Sequence, residues 1–251
     1  MCRLLGVVSR RPTALGDLVA EDIDSFLALA GEHADGWGVA HRTRDGTAVD
    51  IAKGTARGDT DPRLRGLLAD TVTDAALLHL RMASQDFRVA AGNTHPFGDR
   101  RSAFAHNGDF DPASALDDVI GPQLLATAVG DTDSERFHLA IRRRWDEGMS
   151  PVKAVMGAAD DIRSLAKGFV SLNCLLLTPD GLLAYTEHDP DSAVIARRGP
   201  DYFRLHYRED DGSVAVASTG WPQPAPRWTP LPERCLLEVV PGTLTVTVHG
   251  G

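Results

Sequence analysis

The sequence is poor in the features that define several specialised classes of protein. It has 3 cysteines in 251 residues. Their positions, 2, 174 and 235, neither build a disulfide framework nor give a C-x-x-C pair of the kind found in zinc and redox sites. No apolar stretch approaches the ~18 residues of a transmembrane helix, and the first residues show no charged-then-apolar signal pattern. The sequence therefore predicts a cytoplasmic protein without a membrane span.

Positive charge is also scarce. The chain has 26 Lys and Arg residues against 35 Asp and Glu residues, a formal net charge of -9. Nucleic acids and anionic membranes are bound through clustered positive charge. The dense basic run at residues 142–144 falls in a predicted helix, where a solvated helix face explains it. We therefore expect no nucleic-acid partner and no membrane partner.

What the sequence does contain is the pattern of an α+β protein. Its composition is that of an ordinary globular chain, with 43% hydrophobic residues. Helical and extended patterns occur in separate groups rather than alternating, and Asp-Gly and Pro-Gly turns indicate antiparallel hairpins. We find no repeat or linker, so residues 1–251 are interpreted as a single domain. Strands are predicted at residues 4–8, 37–42, 47–52, 75–81, 102–105, 172–177, 182–186, 194–197, 202–207, 214–217, 236–240 and 244–248. Helices are predicted at residues 15–30 and 62–70, from Thr132, and from Ser150.

A cysteine directly follows the initiator Met1. Once Met1 is removed, the thiol and a free α-amine belong to one residue. Their reference pKa values, about 8.5 and about 8, allow the amine to take the thiol proton near neutral pH. A cysteine at position 2 is incidental in most proteins, so this prediction depends on further motifs. Cys174 and Cys235 lie in apolar runs and are predicted to be buried core thiols.

Four further motifs follow in order: residues 79–81 (HLR), 93–97 (NTHPF), 106–108 (HNG) and 132–135 (TDSE). Together with residues 1–3 (MCR), they resemble the class II glutamine amidotransferases, which are N-terminal nucleophile hydrolases. The resemblance implies a four-layer αββα sandwich of two antiparallel sheets between helices. The motifs end at residue 135, and beyond it the likeness is one of architecture.

Matched position by position, the resemblance implies the chemistry of the site. Cys2 corresponds to the nucleophile, and Asn107 with Gly108 to an oxyanion hole. The implied reaction is hydrolysis of the side-chain amide of glutamine, or of a γ-glutamyl compound, through a γ-glutamyl thioester on Cys2. Ammonia or an amine is released, and no cofactor or metal is needed.

The resemblance also implies how the substrate is held. Arg81 corresponds to the residue that binds the α-carboxylate, for which a planar guanidinium is suited. Asp133 corresponds to the position that holds the α-ammonium, and Ser84 and His95 line the pocket. Two departures from the family pattern bear on substrate fit: His33-Ala34 stands before Asp35-Gly36 where Arg-Gly is frequent, and Ser84 stands where threonine is usual.

Each of these residues also has a plainer interpretation. Arg81 alone could be a surface cation, Asn107-Gly108 a turn, and His95 a packed loop residue. Thr132 and Glu135 also form the pattern of a capping box at a helix start. Both interpretations can hold for the same residue.

Other functions remain open at this point. His79, His95 and His106 could serve a metal-dependent hydrolase, although their spacing matches no metal motif. A non-catalytic γ-glutamyl sensor is a second alternative. The sequence has no phosphate-binding G-x-x-x-x-G-K-[ST] loop. Ammonia would therefore pass to a separate synthase subunit, or the enzyme would be a γ-glutamyl amide hydrolase of thiol or peptide metabolism.

Overall fold

The structure, a computed structural model, describes residues 1–83 and 88–250. Its strands are β1 (Arg3–Ala14), β2 (Trp37–Arg42), β3 (Val49–Gly54), β4 (Val72–Leu80), β5 (Phe97–Asp99), β6 (Ser102–Asp111), β7 (Gly168–Thr178), β8 (Gly181–Thr186), β9 (Leu205–Glu209), β10 (Ser213–Ser218), β11 (Thr229–Pro230), β12 (Cys235–Val240) and β13 (Thr245–His249). Its α-helices are α1 (Leu15–Leu18), α2 (Ile23–Ala28), α3 (Pro62–Asp70), α4 (Asp117–Ile120), α5 (Pro122–Leu125), α6 (Asp133–Asp146), α7 (Pro151–Leu165) and α8 (Ala193–Arg198). Short 3-10 turns lie at Leu29–Gly31, Ala91–Asn93 and Ala113–Leu116.

These strands form two antiparallel sheets. Among the described residues, sheet A has seven strands in the order β11-β9-β10-β1-β4-β2-β3, and sheet B has six in the order β13-β12-β8-β7-β6-β5. Side chains of both sheets share one buried core. A second core joins sheet B to α6 and α7, and a third joins sheet A to α1, α2 and α3. The predicted α+β sandwich of two sheets between helices is confirmed.

Alternation along β1 shows how the sequence specifies these layers. Leu4 and Val8 belong to the core between the sheets, whereas Leu5 and Val7 belong to the core under the helices. Successive residues of a strand point to opposite faces, so a strand buried on both faces is a continuous apolar run. The run predicted at residues 4–8 is the buried part of a longer strand.

Two predicted elements are wrong in detail. The single helix predicted at residues 15–30 is instead α1, α2 and a 3-10 turn, although Val19, Phe26 and Ala30 are buried as its pattern required. The strand predicted at residues 194–197 is helix α8. Ser192 caps this helix by accepting a hydrogen bond from the backbone N–H of Ile195. The cap favours a helix over the strand that the apolar run indicated.

Three smaller differences concern boundaries and burial. The strand predicted at residues 202–207 begins later, at Leu205, because residues 201–203 form a turn. Strand β6 extends far beyond the predicted residues 102–105. Cys174 is buried as predicted, whereas Cys235 is only partly buried at the start of β12. In the part of the chain described, no helix is long and apolar enough to cross a membrane.

Candidate active site

Cys2 lies at the start of sheet A, next to the end of the neighbouring strand. The first residue of β1, Arg3, pairs with the last residue of β4, Leu80. This register places the Cys2 thiol 3.7 Å from the carbonyl oxygen of Met82, to which it donates a weak hydrogen bond. The Met1 amine lies 2.8 Å from the Met82 sulfur. The chain terminus is therefore held against the segment that follows β4.

That segment is fixed by the Asp35-Gly36 element. The Arg81 N–H donates to Gly36 O at 2.9 Å, and the Asp35 N–H donates to Arg81 O at 3.1 Å. The Asp35 carboxylate accepts from the Ala83 N–H at 2.8 Å. These contacts anchor residues 81–83, so a mobile surface position for Arg81 is excluded.

Arg81 is a buried cation with spare donors. The residue is 3% exposed, which overturns the surface interpretation. Nη2 donates to Arg88 O at 3.0 Å, while Nη1 has no hydrogen-bond partner among residues 1–83 and 88–250. A buried donor without a partner is costly, so this geometry suits an anionic ligand such as a carboxylate.

Strand β6 of sheet B contributes the HNG motif from its interior, not from a turn beyond its end. His106 contacts Ser134 Oγ and Ser171 O, each at 2.9 Å. A Cβ at Gly108 would lie 1.6 Å from Ser171 O, so only glycine fits there. Asn107 is fully buried, and both of its amide atoms are unpaired in the described part of the chain.

The N-terminus of α6 brings Asp133 to the same place. Thr132 caps the helix by accepting a hydrogen bond from the Glu135 N–H at 3.1 Å, as predicted. The Glu135 carboxylate does not complete the capping box, because its two oxygens accept from Val129 N and Gly130 N. Asp133 Oδ2 accepts from the Phe110 N–H at 3.2 Å, which docks the helix start on β6.

His95 is packed deeply beside His79. Their ring centroids are 4.3 Å apart, and a Cβ at Gly38 would lie 2.0 Å from His95 O, so glycine in β2 permits this approach. Burial lowers the pKa of His79 to about 3 and that of His95 well below its usual value. No group of three or more His, Cys, Asp or Glu side chains within the described residues could hold a metal ion. The arrangement therefore gives no support to a histidine metal site.

A small cavity of about 30 Å3 joins these parts. It is lined by Met1, Cys2, Arg81, Met82, Ala83, Asn93, His95, His106, Gly108, Thr132, Asp133 and Ser134. Five candidate residues from the sequence thus meet at one point, and Asn107 lies between two lining residues without lining the cavity itself. Ser84 lies outside the described residues. Sequence reasoning missed Met82, Ala83, Asn93 and Ser134, of which Asn93 and Ser134 stand inside the motifs already quoted.

Burial dominates the electrostatics of the cavity. Burial raises the pKa of the Cys2 thiol, and the nearby N-terminal amine, Arg81 and Arg3 act in the opposite direction. Burial also lowers the pKa of the Met1 amine. Burial raises the pKa of Asp133 to about 6. Burial and the charge of Asp133 together raise the pKa of Asp109, a residue that sequence reasoning also missed. A thiol thus lies near a buried cation and a buried carboxylate.

The raised pKa of Asp133 predicts that the site is destabilising at neutral pH. Between about pH 4 and pH 6 the native state binds a proton that the unfolded state has lost, so stability falls as the pH rises through this window. Asp133→Asn should therefore raise the free energy of unfolding at pH 7.5 by at most about 3 kcal/mol, with the difference vanishing below about pH 4. Chemical denaturation at several pH values measures this difference.

Asp118→Asn is the matched control. It removes the same charge from an exposed carboxylate in the first turn of α4 and should leave stability nearly unchanged. A free energy of unfolding at pH 7.5 that is no higher in Asp133→Asn than in the control would contradict the prediction.

Known proteins resemble this chain in sequence or in fold. A family model for class II glutamine amidotransferases matches residues 1–229. A glutamine aminotransferase class-II domain protein from Silicibacter pomeroyi has a similar structure, with a TM-score of 0.70 and 20% identity over 99% of each chain. A predicted glutamine amidotransferase from Pseudomonas aeruginosa PA01 aligns over 100% of each chain, with a TM-score of 0.56 and 20% identity.

A longer protein shares the same architecture. The glutamine phosphoribosylpyrophosphate amidotransferase of B. subtilis has a TM-score of 0.64 and 15% identity, over 99% of this chain and 49% of that one. At such identities the likeness of these solved structures concerns the fold alone. A search of curated protein sequences gives no significant match.

Proposed function

Because the chain belongs to the class II glutamine amidotransferases, we propose that it cleaves the γ-glutamyl amide bond of glutamine or a related compound with Cys2 as the nucleophile. One observation carries the proposal: Cys2, Arg81 and Asp133, which are far apart in the sequence, line one cavity. We also infer that residues 1–251 form one glutamine amidotransferase domain, since the chain alternates between the sheets: β1–β4 and β9–β11 build sheet A, whereas β5–β8, β12 and β13 build sheet B.

The first half of the proposed reaction forms a thioester. With Met1 removed, the α-amine of Cys2 takes the thiol proton, and the sulfur attacks the side-chain carbonyl carbon. The oxyanion that develops is stabilised by the Asn107 side-chain amide and the Gly108 N–H. The carbon–nitrogen bond then breaks, and the α-ammonium returns its proton to the departing ammonia or amine.

The second half regenerates the enzyme. A water molecule loses a proton to the same α-amine and attacks the thioester carbonyl. The carbon–sulfur bond breaks, glutamate leaves, and the thiolate regains the proton. No residue other than Cys2 is required to move protons, which accords with the neutral state of the buried His79 and His95 at neutral pH.

The unreacting end of the substrate is assigned to the two buried charges. The unpaired Nη1 of Arg81 offers a donor to the α-carboxylate. The Asp133 carboxylate accepts hydrogen bonds from the α-ammonium. The positive charge of the ammonium favours the ionised carboxylate and so lowers the pKa of Asp133 in the complex. His95 lines the same cavity, and we assign Ser84 to the pocket on the family resemblance.

Removal of Met1 is part of the proposal. A cavity of about 30 Å3 with Met1 on its wall has room for about two or three water molecules, which is too small for a glutamine side chain. Met1 also carries the terminal amine that Cys2 needs. Excision of Met1 therefore enlarges the cavity and creates the base in one step.

The nature of the leaving group can be tested with the isolated protein. Either a separate synthase subunit receives the ammonia, or the leaving amine is larger than ammonia. In both cases free glutamine should be hydrolysed slowly, and turnover should rise at least about tenfold with γ-glutamyl peptides or with a partner. Glutamate release from glutamine and from a panel of γ-glutamyl peptides, at equal concentrations, measures this difference.

The outcomes of this assay separate the candidates. Fast, partner-independent turnover of glutamine alone would identify a simple glutaminase and contradict both routes. Binding of γ-glutamyl compounds without any release of glutamate would point to a sensor and overturn the proposed hydrolysis. The Cys2→Ala variant provides the background rate for every compound in the panel.

A further inference from the structure

Arg3 is a buried arginine that the proposed reaction leaves unused. The residue is 3% exposed, and Nη1 donates to the carbonyl oxygen of Cys2 at 3.4 Å. The guanidinium lies over the Tyr202 ring, 4.4 Å from its centroid. Nε has no hydrogen-bond partner within the described residues. It lies against Gly220, where the absence of a side chain leaves room for it. Packing on both sides therefore fixes a full positive charge beside the nucleophilic residue.

The charge is close to the atom that serves as the base. The nitrogen and the carbonyl oxygen of one residue are about 3 to 3.6 Å apart. With the 3.4 Å contact to Cys2 O, the guanidinium lies within about 7 Å of the Cys2 nitrogen. A cation at that distance disfavours protonation of the α-amine, and the amine must be neutral to take the thiol proton.

The other charged groups around the terminus do not cancel this effect. They come from several elements: Glu32 after the 3-10 turn at Leu29–Gly31, Arg198 at the end of α8, His33, Arg81 after β4, and Asp109 on β6. Glu32 and Arg198 form an ion pair with each other. Burial lowers the pKa of His33 to about 4, so His33 is neutral at physiological pH, and burial raises the pKa of Asp109, which opposes its ionisation.

We propose that Arg3 is a positioning residue that holds the Cys2 carbonyl and keeps the Cys2 α-amine neutral at physiological pH. The inference rests on the proposed function, in which that amine is the catalytic base. For two unit charges about 6 to 7 Å apart and an effective dielectric constant between about 40 and 80, the effect on the amine is about half to one pH unit.

The first test is the pH profile of kcat for Met1-free protein with glutamine. The acidic limb of kcat reports groups in the enzyme–substrate complex, where Asp133 is paired with the substrate. Arg3→Gln should shift this limb to higher pH by about half to one pH unit, because the amine becomes easier to protonate. Arg3→Lys keeps the charge and should leave the limb near its wild-type position while lowering kcat through loss of the fixed contact.

Arg197→Gln is the matched control, since it removes an equal charge from an exposed position on α8 and should not move the limb. If Arg3→Gln fails to fold, Arg3→Met replaces it, because methionine keeps an apolar side chain over the Tyr202 ring. The same shift of the acidic limb is expected for Arg3→Met. An unchanged limb in a folded, neutral Arg3 variant, or an equal shift in Arg197→Gln, overturns the inference.

A second test does not depend on turnover. In a Cys2→Ala background, the pH dependence of α-amine modification by cyanate, followed by intact mass, gives the pKa of the amine directly. Arg3→Gln should raise that pKa by about half to one unit, and no change overturns the role of Arg3. Absence of Cys2-dependent turnover in the wild-type enzyme would instead overturn the proposed function, so the two failures are distinguishable.

Discussion

Replacing Cys2 with alanine should reduce turnover by about 10^4-fold or more, because the substitution removes the group that forms the thioester in the proposed reaction. A non-removable extension ahead of Cys2 should have nearly the same effect, since it converts the α-amine into an amide that cannot accept a proton. It also leaves the cavity as small as it is with Met1 in place. Glutamate release by each purified protein measures the loss.

Cys235→Ala is the matched control, because Cys235 is a partly buried free thiol on a different strand. Its kcat should equal that of the wild type. Intact mass after reaction with diazo-oxo-norleucine should show one label on Cys2 and a chain without Met1. Full activity in the extended protein would refute the N-terminal nucleophile.

Asn107→Ala should lower kcat by about a hundredfold or more, the usual loss for one oxyanion donor. Stability should change little, because both amide atoms of Asn107 are unpaired within the described residues and no hydrogen bond is lost. Steady-state kinetics and thermal unfolding of the same variant test both statements. By contrast, Arg81→Ala should chiefly raise KM for glutamine, since Arg81 is assigned to the unreacting end of the substrate.

Asn173→Ala provides a control with the opposite pattern. Asn173 pairs with Asn107 across β6 and β7 and is equally buried. Its amide donates to Phe203 O and accepts from the Glu187 N–H. The variant should lose about 1 to 3 kcal/mol of stability with kcat of the folded protein retained. An unchanged kcat in Asn107→Ala would remove Asn107 from the oxyanion hole.

Local physical rules made several parts of the fold predictable from sequence. The apolar run at residues 4–8 had to be buried on both faces, and it lies in the middle of sheet A. Helix α3 begins where its Asp61 cap and Pro62 indicate. The spacing of apolar residues in α6 and α7 specified two packed helices because residues at intervals of three and four share a helix face.

Elements whose local signals compete were not predictable in this way. Residues 194–197 are short and apolar, a pattern that fits a strand or a buried helix equally, and the Ser192 cap decided for helix α8. Residues 15–30 carry a helical pattern, yet they are divided into α1 and α2 over sheet A. Packing against the sheet outweighs helix propensity in such segments.

The sequence by itself determined which chemical groups the site contains, since Cys2, Arg81, Asn107 and Asp133 stand in recognisable motifs. Only the tertiary structure decided how they meet. The register of β1 against β4 places Cys2 beside residues 81–83, and the docking of α6 on β6 brings Asp133 to the same cavity. These contacts join residues more than 20 positions apart, and their geometry depends on sheet pairing and on burial. Local spacing encodes neither, so the burial of the Arg3 guanidinium over the Tyr202 ring had no signal in the sequence pattern.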